Sequence, residues 1–305
     1  MQPEPPTKEN PVAFFSSVEH ASETLARTGY LVDDELATVV FLGDAMGKPL
    51  LLEGPAGTGK TELAKAVAAG TGAKLIRMQC YEGLDEARAL YEWNYRKQLL
   101  RIQTAQAGEE HDHVWDELHD DIFSEEFLLE RPLLAAIRHP GPVVLLIDEI
   151  DKADVEVEGL LLELLSDFQV SIPELGTITA VQRPFVVLTS NATRDLSEAL
   201  RRRCLHAQVE YPDSVRERAI VRRRVPEVSE ELAEQIVKAV RAMRALDLRK
   251  PPSIAETIDW AQAVVALGHH ELGDAVAGRT LGVVLKNDQD KAKVCDQLHL
   301  ATIRP

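Results

Sequence analysis

Cysteine is scarce in this 305-residue chain, which has only Cys80, Cys204 and Cys295. The three residues lie far apart in the sequence, and no C-x-x-C spacing joins any two of them. The sequence therefore offers neither a disulfide framework nor a cysteine-based metal site. Such cysteine usage is typical of a reducing compartment, so we expect a cytoplasmic protein.

Long hydrophobic runs are absent as well. No uninterrupted apolar stretch reaches the roughly 18 residues that a transmembrane helix needs. The N-terminus has no basic region followed by an apolar core, so we do not expect a signal peptide. Residues 1–10 are polar and proline-rich, which predicts a disordered N-terminus.

Basic residues are outnumbered, because 34 Lys and Arg stand against 50 Asp and Glu and give a net charge of −16. Residues 109–126 hold nine carboxylates and no Lys or Arg, whereas residues 194–250 are mildly basic. Contacts to phosphate dominate the affinity of proteins for nucleic acid. The charge balance therefore makes a nucleic-acid partner an unfavoured expectation.

A glycine-rich loop is the most informative motif that the chain does contain. The pattern G-x-x-x-x-G-K-T follows an apolar, strand-like stretch and runs straight into a helical pattern. Backbone N–H groups of such a loop form a site for phosphate oxygens, the lysine reaches the β- and γ-phosphates, and the threonine hydroxyl binds Mg²⁺. The predicted nucleotide-binding residues are Gly54, Pro55, Ala56, Gly57, Thr58, Gly59, Lys60, Thr61 and Glu62.

A second motif places two carboxylates directly after a buried strand. Residues 143–151 read VVLLIDEID, so Asp148 and Glu149 come at the carboxyl end of a wholly apolar run. Ligands of open α/β sheets bind at this edge. We expect Asp148 to hold Mg²⁺ together with Thr61, and Glu149 to act as the general base for the attacking water.

Two further groups complete the predicted site. Asn191 follows the strand-like run FVVLTS and is expected to hydrogen-bond the attacking water or the γ-phosphate. The cluster Arg201, Arg202 and Arg203 lies at the end of a predicted helix that begins at Asp195. Because the three arginines are consecutive, they point in different directions, and one of them is predicted to act on the nucleotide of a neighbouring subunit.

The order of the elements predicts a doubly wound α/β domain over residues 11–210, followed by an all-α domain over residues 211–305. Five short strand-like runs alternate with helical patterns in the first domain, which also carries a helical insert at 81–130 and a β-hairpin at 169–182. In the second domain, Glu230–Leu246 reads as an amphipathic helix, and Ser253 with Glu256 predicts a capping box ahead of another.

These motifs, in this order, resemble the AAA+ ATPases over residues 20–305. The resemblance implies a P-loop NTPase fold with a parallel five-stranded sheet and a small helical lid. Within that superfamily the chain resembles the MoxR branch. The runs at residues 80–100, 189–205 and 249–261 are similar to those of maturation chaperones for carbon monoxide dehydrogenase.

The resemblance also implies roles for individual residues. It places the sensor-1 residue at Asn191 and the arginine acting in trans at Arg203, with Arg202 as the near alternative. It matches a family run that contacts adenine to Gly29–Val32, and therefore to Tyr30 and Leu31. Where many members have a sensor-2 arginine, this chain has Ile254, and Arg249 and Lys250 just upstream are the alternatives for coupling the lid to the γ-phosphate.

At the level of assembly, the resemblance implies a homo-oligomeric ring, usually a hexamer. It implies ATP and Mg²⁺ as cofactors, and as partners a client protein such as a molybdenum-containing dehydrogenase and a protein with a von Willebrand A-type domain. Three alternatives stay open at this point: a DNA-acting motor, a nucleotide switch that does not hydrolyse ATP, and a ring scaffold that needs nucleotide only for assembly.

Overall fold

The computed structural model describes residues 13–106 and 121–297. The predicted disorder of residues 1–10, most of the acidic segment 109–126 and the end of the predicted lid lie outside these ranges.

A five-stranded parallel sheet forms the centre of the first part of the chain, and its strand order is β2-β5-β8-β1-β9. All residues of β1, β5 and β8 are buried, as expected for central strands that are covered on both faces. The α/β fold predicted from the sequence is therefore confirmed. The strands are β1 Leu50–Glu53, β2 Lys74–Gln79, β5 Val143–Asp148, β8 Phe185–Ser190 and β9 Leu205–Gln208.

The strand register brings the polar ends of three neighbouring strands to one edge of the sheet. Gln79 at the end of β2 is the partner of Asp148 at the end of β5. On the other side of β5, Ile147 is the partner of Leu188 of β8, so the next residue of β8, Thr189, lies at the level of Asp148. The predicted carboxylates thus lie at and just after the carboxyl end of β5, an interior strand with a neighbour on each side.

Helices connect and cover these strands. Helix α8 begins at Glu198, later than the predicted Asp195, because the Ser197 hydroxyl accepts the Leu200 N–H and caps the helix. The helices are α1 Val18–Arg27, α2 Asp34–Met46, α3 Lys60–Thr71, α4 Glu86–Ala89, α5 Tyr95–Gln106, α6 Pro132–Arg138, α7 Val155–Asp167 and α8 Glu198–Arg203.

The insert between β2 and β5 is not purely helical, which corrects the prediction for residues 81–130. Strand β3, Tyr91–Trp93, pairs antiparallel with β4, Leu128–Glu130. Each strand has three residues, too few for a two-residue period to show in the sequence. The pairing also joins segments that lie far apart along the chain, so no local pattern could indicate it.

The predicted β-hairpin is present. Strand β6, Gln169–Ile172, pairs antiparallel with β7, Gly176–Thr179, and the turn contains Leu175. Gly176 has a φ of 77°, a left-handed conformation that glycine adopts without strain. The hairpin is the element that the sequence placed at residues 169–182.

The second part of the chain is helical, as predicted. Trp260 and Met243 lie in its apolar core. Ser253 and Glu256 form the predicted capping box at the start of α11. Its helices are α9 Ser214–Arg224, α10 Glu230–Arg244, α11 Ile254–Ala266, α12 Asp274–Val284 and α13 Asp288–Gln297.

Contacts divide the chain into two compact units. The sheet unit contains the described residues up to Leu25 together with Val32–Glu53 and Thr61–Gln208. The helical unit contains Ala26–Leu31 and Gly54–Lys60 in addition to the chain from Val209 onward. Two short segments of the predicted α/β domain therefore pack with the helices, and the predicted boundary between residues 210 and 211 remains a prediction. Within residues 13–106 and 121–297, no helix is long and apolar enough to cross a bilayer.

Candidate functional site

Asp148 is the best-connected carboxylate at the edge of the sheet. Its Oδ1 accepts hydrogen bonds from the hydroxyl groups of Thr61, at 2.9 Å, and of Thr189, at 2.5 Å. Its Oδ2 accepts two N–H groups of Arg77, at 3.1 and 2.6 Å. The side chain is almost fully buried, and four donors satisfy its two oxygens. The strand thus presents a fixed carboxylate next to the threonine that ends the glycine-rich motif.

Glu149 has an unusual backbone conformation, with a φ of 57° and a ψ of 49°. Left-handed backbone in a residue other than glycine is strained, and such strain clusters at functional sites. The Glu149 N–H donates to Thr189 Oγ1 at 2.9 Å and so holds the turn. The carboxylate accepts Gln79 Nε2 and Lys152 Nζ on Oε2, at 2.8 and 2.6 Å, and Asn191 Nδ2 on Oε1 at 3.4 Å.

The structure thereby brings together Thr61, Asp148, Glu149 and Asn191, which the sequence predicted as site residues. Thr61 lies in the first turn of α3, and the other three lie at or just after the ends of β5 and β8. The ionic contact with Glu149 Oε2 raises the pKa of Lys152. Lys152 therefore stays protonated and donates to this oxygen at neutral pH.

Buried groups beside the carboxylates complete this electrostatic environment. Burial, and then the nearby charges of Asp148, Asp151 and Glu149, raise the pKa of Cys80 to about 12. That thiol is therefore neutral and unreactive. Burial tends to raise the pKa of Asp151 too, but the hydroxyl and N–H of Thr193 outweigh it and lower this pKa. Asp151 is thus a fixed negative charge that anchors the turn after β8.

The oxygen donors at the end of β5 fit a magnesium ion. Mg²⁺ prefers carboxylate, hydroxyl and water oxygens and usually binds through one or two carboxylates while keeping several waters. Asp148 and the hydroxyl of Thr61 supply that set within one hydrogen bond of each other. No group of three or more His, Cys, Asp or Glu side chains suited to a metal occurs in the described chain. A site built by protein carboxylates and imidazoles alone is therefore not found there.

The glycine-rich loop, Gly54–Lys60, belongs to the helical unit. Lys60 Nζ folds back onto the loop and donates to the carbonyl oxygens of Gly54 and Pro55, each at 2.7 Å. The hydroxyl of Thr58 also donates to the Pro55 carbonyl, at 3.1 Å. Both side chains are buried. The loop therefore holds its lysine close to its own backbone in this structure.

Glycine is required at position 57 by close packing. Gly57 has a φ of 76°, and a Cβ built on it would lie 2.1 Å from Cβ of Ser253. The Gly57 carbonyl accepts the N–H of Ile254 at 3.2 Å. Ile254, the residue predicted to stand at the sensor-2 position, therefore contacts the loop through its backbone.

Two residues that the sequence did not single out extend this contact. The Tyr211 hydroxyl donates to the Ala56 carbonyl at 3.2 Å. The Arg244 guanidinium stacks 4.2 Å from the centre of the Tyr211 ring and makes a two-point ion pair with the fully buried Glu217. Burial raises the pKa of Tyr211, so its hydroxyl stays protonated and able to donate. Hydrogen bonds within the helical unit thus hold the loop at the carbonyl groups of Ala56 and Gly57.

The other predicted nucleotide contacts have varied surroundings. The Tyr30 ring lies beside Gly59, and the Leu31 carbonyl accepts two N–H groups of Arg216, at 3.1 and 2.6 Å. Glu62 is on α3 in the sheet unit, where it pairs with Lys65 at 2.6 Å. Their roles in nucleotide binding stay predictions.

The three consecutive arginines do point in three directions. Arg201 makes a two-point ion pair with the buried Glu53, at 2.8 and 2.9 Å, and is committed to its own subunit. Arg202 pairs with Glu198 one helical turn away, and 76% of its side chain is exposed. Arg203 donates to Ser166 Oγ at 2.7 Å and to the Ala199 carbonyl at 3.1 Å.

The sequence did not predict the contacts of Arg77, Gln79 and Thr189 with the carboxylates. One signal was available for the first two, because they interrupt the apolar residues of β2 at a spacing of two and so share one face of the strand. Thr189 carried no comparable signal. Its importance comes from the strand register, which puts its hydroxyl between Asp148 Oδ1 and the Glu149 N–H.

Comparison with curated proteins finds relatives at low identity. An uncharacterised protein of Staphylococcus haemolyticus is 25% identical over 229 residues, covering 73% of this chain and 77% of its own length. An uncharacterised protein of Staphylococcus epidermidis matches to the same extent.

Among solved structures, the chain is similar to Thermotoga maritima RuvB, a Holliday junction branch migration motor. The identity is 18%, the TM-score is 0.46, and the match covers 91% of this chain and 76% of RuvB. A single-substitution variant of the same protein matches at 18% identity with a TM-score of 0.48, over 95% of this chain and 81% of its own.

A family model gives the sharper assignment. The model of the AAA domain, dynein-related subfamily, matches residues 49–204, just over half of the chain. This range runs from the start of β1 through the glycine-rich loop, both carboxylates and Asn191 to the end of the arginine cluster. The chain therefore belongs to the dynein-related subfamily of AAA domains, among the AAA+ ATPases.

Proposed function

We propose that this chain binds ATP with Mg²⁺ and hydrolyses it to ADP and phosphate. One observation carries the proposal: the hydroxyl of Thr61, the last residue of the glycine-rich motif, donates to Asp148 Oδ1 at 2.9 Å. This contact joins the phosphate-binding motif to the acidic end of the central strand. Family membership supports nucleotide binding in general, and the side chains around Asp148 support the chemistry.

The metal site in this proposal is formed by Asp148 and Thr61. When bound there, Mg²⁺ would supply positive charge to the phosphate oxygens of ATP. Asp148 keeps Thr61 in place, because it accepts the hydroxyl proton and leaves the oxygen lone pairs for the ion. Lys60 supplies a positive charge to the same phosphates after exchanging its bonds to the loop carbonyls for bonds to phosphate oxygens.

Glu149 is the proposed general base. Its Oε2 is held by Gln79 and Lys152, whereas Oε1 receives the long 3.4 Å contact from Asn191. We therefore assign Oε1 as the atom that takes the proton of the attacking water. The water oxygen then bonds to the γ-phosphorus, and the bond from that phosphorus to the β–γ bridging oxygen breaks. Asn191 is placed to orient the water, because its amide lies beside the base.

The decisive measurement is phosphate release by the purified chain with ATP and Mg²⁺. We expect Glu149→Gln to retain ATP and to lower the hydrolysis rate by about 100-fold or more, since general-base catalysis contributes that much. Lys60→Ala should lose nucleotide binding. A chain that neither retains ATP nor releases phosphate overturns the proposal, and a Glu149→Gln variant with an unchanged rate removes Glu149 from it.

We also propose a homo-oligomeric ring, a hexamer as is usual in AAA+ proteins, in which Arg203 or Arg202 of one subunit acts on the nucleotide of the next. Arg201 is unsuited to this role because it is bound to Glu53 of its own chain. Mixing two inactive variants tests the idea. Glu149→Gln lacks the base and Arg203→Ala lacks the arginine, so mixed rings contain interfaces with both groups intact and should recover activity. A mixture that stays inactive contradicts Arg203 as the arginine in trans, and the same experiment with Arg202→Ala tests the alternative.

The client-level proposal is that of a MoxR-type chaperone that remodels a molybdenum-containing dehydrogenase together with a von Willebrand A-domain protein. It is supported by the resemblance of the runs at 80–100, 189–205 and 249–261, and by the net charge of −16, which disfavours DNA. The turn of the β6–β7 hairpin near Leu175 is the proposed client contact.

Reconstitution distinguishes this proposal from its rivals. Maturation of the dehydrogenase with its partner should require an active chain and fail with Glu149→Gln. ATP hydrolysis stimulated by duplex DNA would instead favour a DNA motor. Full maturation by mixed rings in which Lys60→Ala subunits greatly outnumber wild-type subunits would favour a scaffold.

A further inference from the structure

Arg77 binds Oδ2 of Asp148, the candidate metal-binding carboxylate. Its Nε and one terminal nitrogen both donate to Asp148 Oδ2, at 3.1 and 2.6 Å. The same terminal nitrogen donates to Gln79 Oε1 at 2.5 Å. The two hydroxyl donors of Asp148 are on Oδ1, so the cation and the hydroxyl groups divide the carboxylate between them.

The two partners differ in their freedom to move. The Asp148 side chain is 4% exposed, whereas that of Arg77 is 48% exposed. Asp148 is fixed at the end of a central strand, but the Arg77 guanidinium can leave for water without unfolding anything. A nearly buried carboxylate without a cation carries a large desolvation cost. Arg77 removes much of that cost as long as no other cation is present.

A guanidinium is a cation in proteins. An Mg²⁺ ion near Asp148 and the guanidinium therefore repel each other and compete for the same carboxylate charge. Both donors of Arg77 point at Oδ2 of Asp148. A water bound to the metal could therefore donate to Oδ2 only after Arg77 has left this oxygen.

We propose that Arg77 is the resident cation of Asp148 in the nucleotide-free chain and that it leaves Oδ2 when the metal–nucleotide complex binds. Arg77 is in this sense a positioning residue that sets the metal affinity of the site. The inference rests on the proposed function, since it takes Asp148 as part of the metal site. It predicts that the chain binds its metal more weakly than its oxygen donors alone would allow.

The test measures metal affinity rather than turnover. Mn²⁺ is titrated into the full chain saturated with a non-hydrolysable ATP analogue, and free Mn²⁺ is followed by electron paramagnetic resonance. Arg77→Met keeps the aliphatic stem and removes the charge, and we expect it to tighten Mn²⁺ binding by about tenfold, the scale of one charge-assisted contact. Arg77→Lys keeps a charge but loses the two-point contact with Asp148, and we expect it to tighten Mn²⁺ binding by about threefold.

Lys74→Met is the matched control. Lys74 is exposed at the other end of the same strand, so this variant makes the same change in net charge away from Asp148. It should leave Mn²⁺ affinity within about twofold of wild type. A shift of equal size in Lys74→Met, or an unchanged or weaker Mn²⁺ affinity in Arg77→Met, overturns the proposal. If Arg77→Met does not fold, Arg77→Lys decides, and an affinity equal to or weaker than wild type then has the same meaning.

Binding of the analogue in EDTA separates the two levels. If the wild-type chain binds no analogue with or without metal, the proposed ATPase function has failed and this inference fails with it. If the analogue binds but Arg77→Met does not change the metal affinity, only the role of Arg77 is lost.

Discussion

At the residue scale, the hydroxyl of Thr189 links Asp148 and Glu149 by hydrogen bonds. It donates its proton to Asp148 Oδ1 at 2.5 Å and accepts the Glu149 N–H at 2.9 Å, and it is buried. The single hydroxyl group therefore fixes both a buried carboxylate and the strained backbone of Glu149. Its removal leaves an acceptor and a donor without this partner at the same point.

We expect Thr189→Val, which keeps the shape and removes the hydroxyl, to lower the free energy of unfolding by about 1–3 kcal/mol. ATP hydrolysis should fall by more than ATP binding, because the position of Glu149 is disturbed. Chemical denaturation and phosphate release measure the two effects. Thr177→Val on the exposed strand β7 is the control and should change neither. A Thr189→Val variant with wild-type stability would contradict this account of the turn.

At the element scale, the three arginines of helix α8 make three different sets of contacts. Arg201 faces inward to Glu53, whose side chain is 7% exposed and also accepts His206 Nε2 at 2.7 Å. Arg202 faces solvent with an ion pair to Glu198, the kind of exposed pair that contributes little to stability. The helix therefore offers at most two arginines to a neighbouring subunit.

Arg201→Met should lower the free energy of unfolding by about 1–3 kcal/mol, because it leaves the Glu53 carboxylate with one partner fewer in a buried place. Arg202→Met should change it by less than about 0.5 kcal/mol. Urea denaturation of the two variants, measured side by side, is the check. Equal stabilities would show that the ion pair with Glu53 does not hold α8 to the sheet.

At the scale of the whole molecule, burial of titratable groups gives stability a defined pH dependence. Burial tends to raise the pKa of Glu158, but the hydrogen bonds from Ser197 and the ion pair with Arg194 lower it below its ordinary 4.5. Glu256 in the capping box of α11 also has a lowered pKa, since bonds from Ser253 outweigh burial. In the opposite direction, burial raises the pKa of Cys204 to about 12, as it does for Cys80.

These shifts set the signs of the expected profile. Carboxyls with a lowered pKa stabilise the fold above their ordinary value of 4.5, and this contribution is lost as the pH falls through their folded values. Thiols with a raised pKa stabilise the fold below their ordinary value of 9.0, and this contribution is lost as the pH rises from there toward 12. Urea denaturation between pH 3 and 10 should therefore show a plateau near neutrality with a fall on both sides.

Glu158→Gln should flatten the acid limb of this profile, whereas Glu82→Gln, at an exposed position, should leave it unchanged. An acid limb of the same slope in all three proteins would mean that other carboxyls cause it. Reactivity gives a second check on the alkaline side, since buried Cys80 and Cys204 should resist thiol reagents at pH 8 in the folded chain.

The local chemistry of this protein is visible in the order of its residues. The spacing from Gly54 to Thr61, the apolar run that ends in Asp148 and Glu149, and the capping box at Ser253 each specify structure through neighbouring residues. Short apolar strands that alternate with helices were enough to predict the parallel sheet, because burial on both faces leaves a continuous apolar pattern. The glycine-rich loop and both carboxylates also lie within residues 49–204, the range that the AAA family model matches.

Which distant side chains meet depends instead on the folded chain. The register of β2 on β5 brings Arg77 and Gln79 to the carboxylates, and that of β8 brings Thr189. The pairing of β3 with β4 and the grip of Tyr211 on the Ala56 carbonyl likewise join residues far apart in the chain. Such contacts are set by packing and strand register, which no local pattern encodes, so the partners of Asp148 emerged only with the fold.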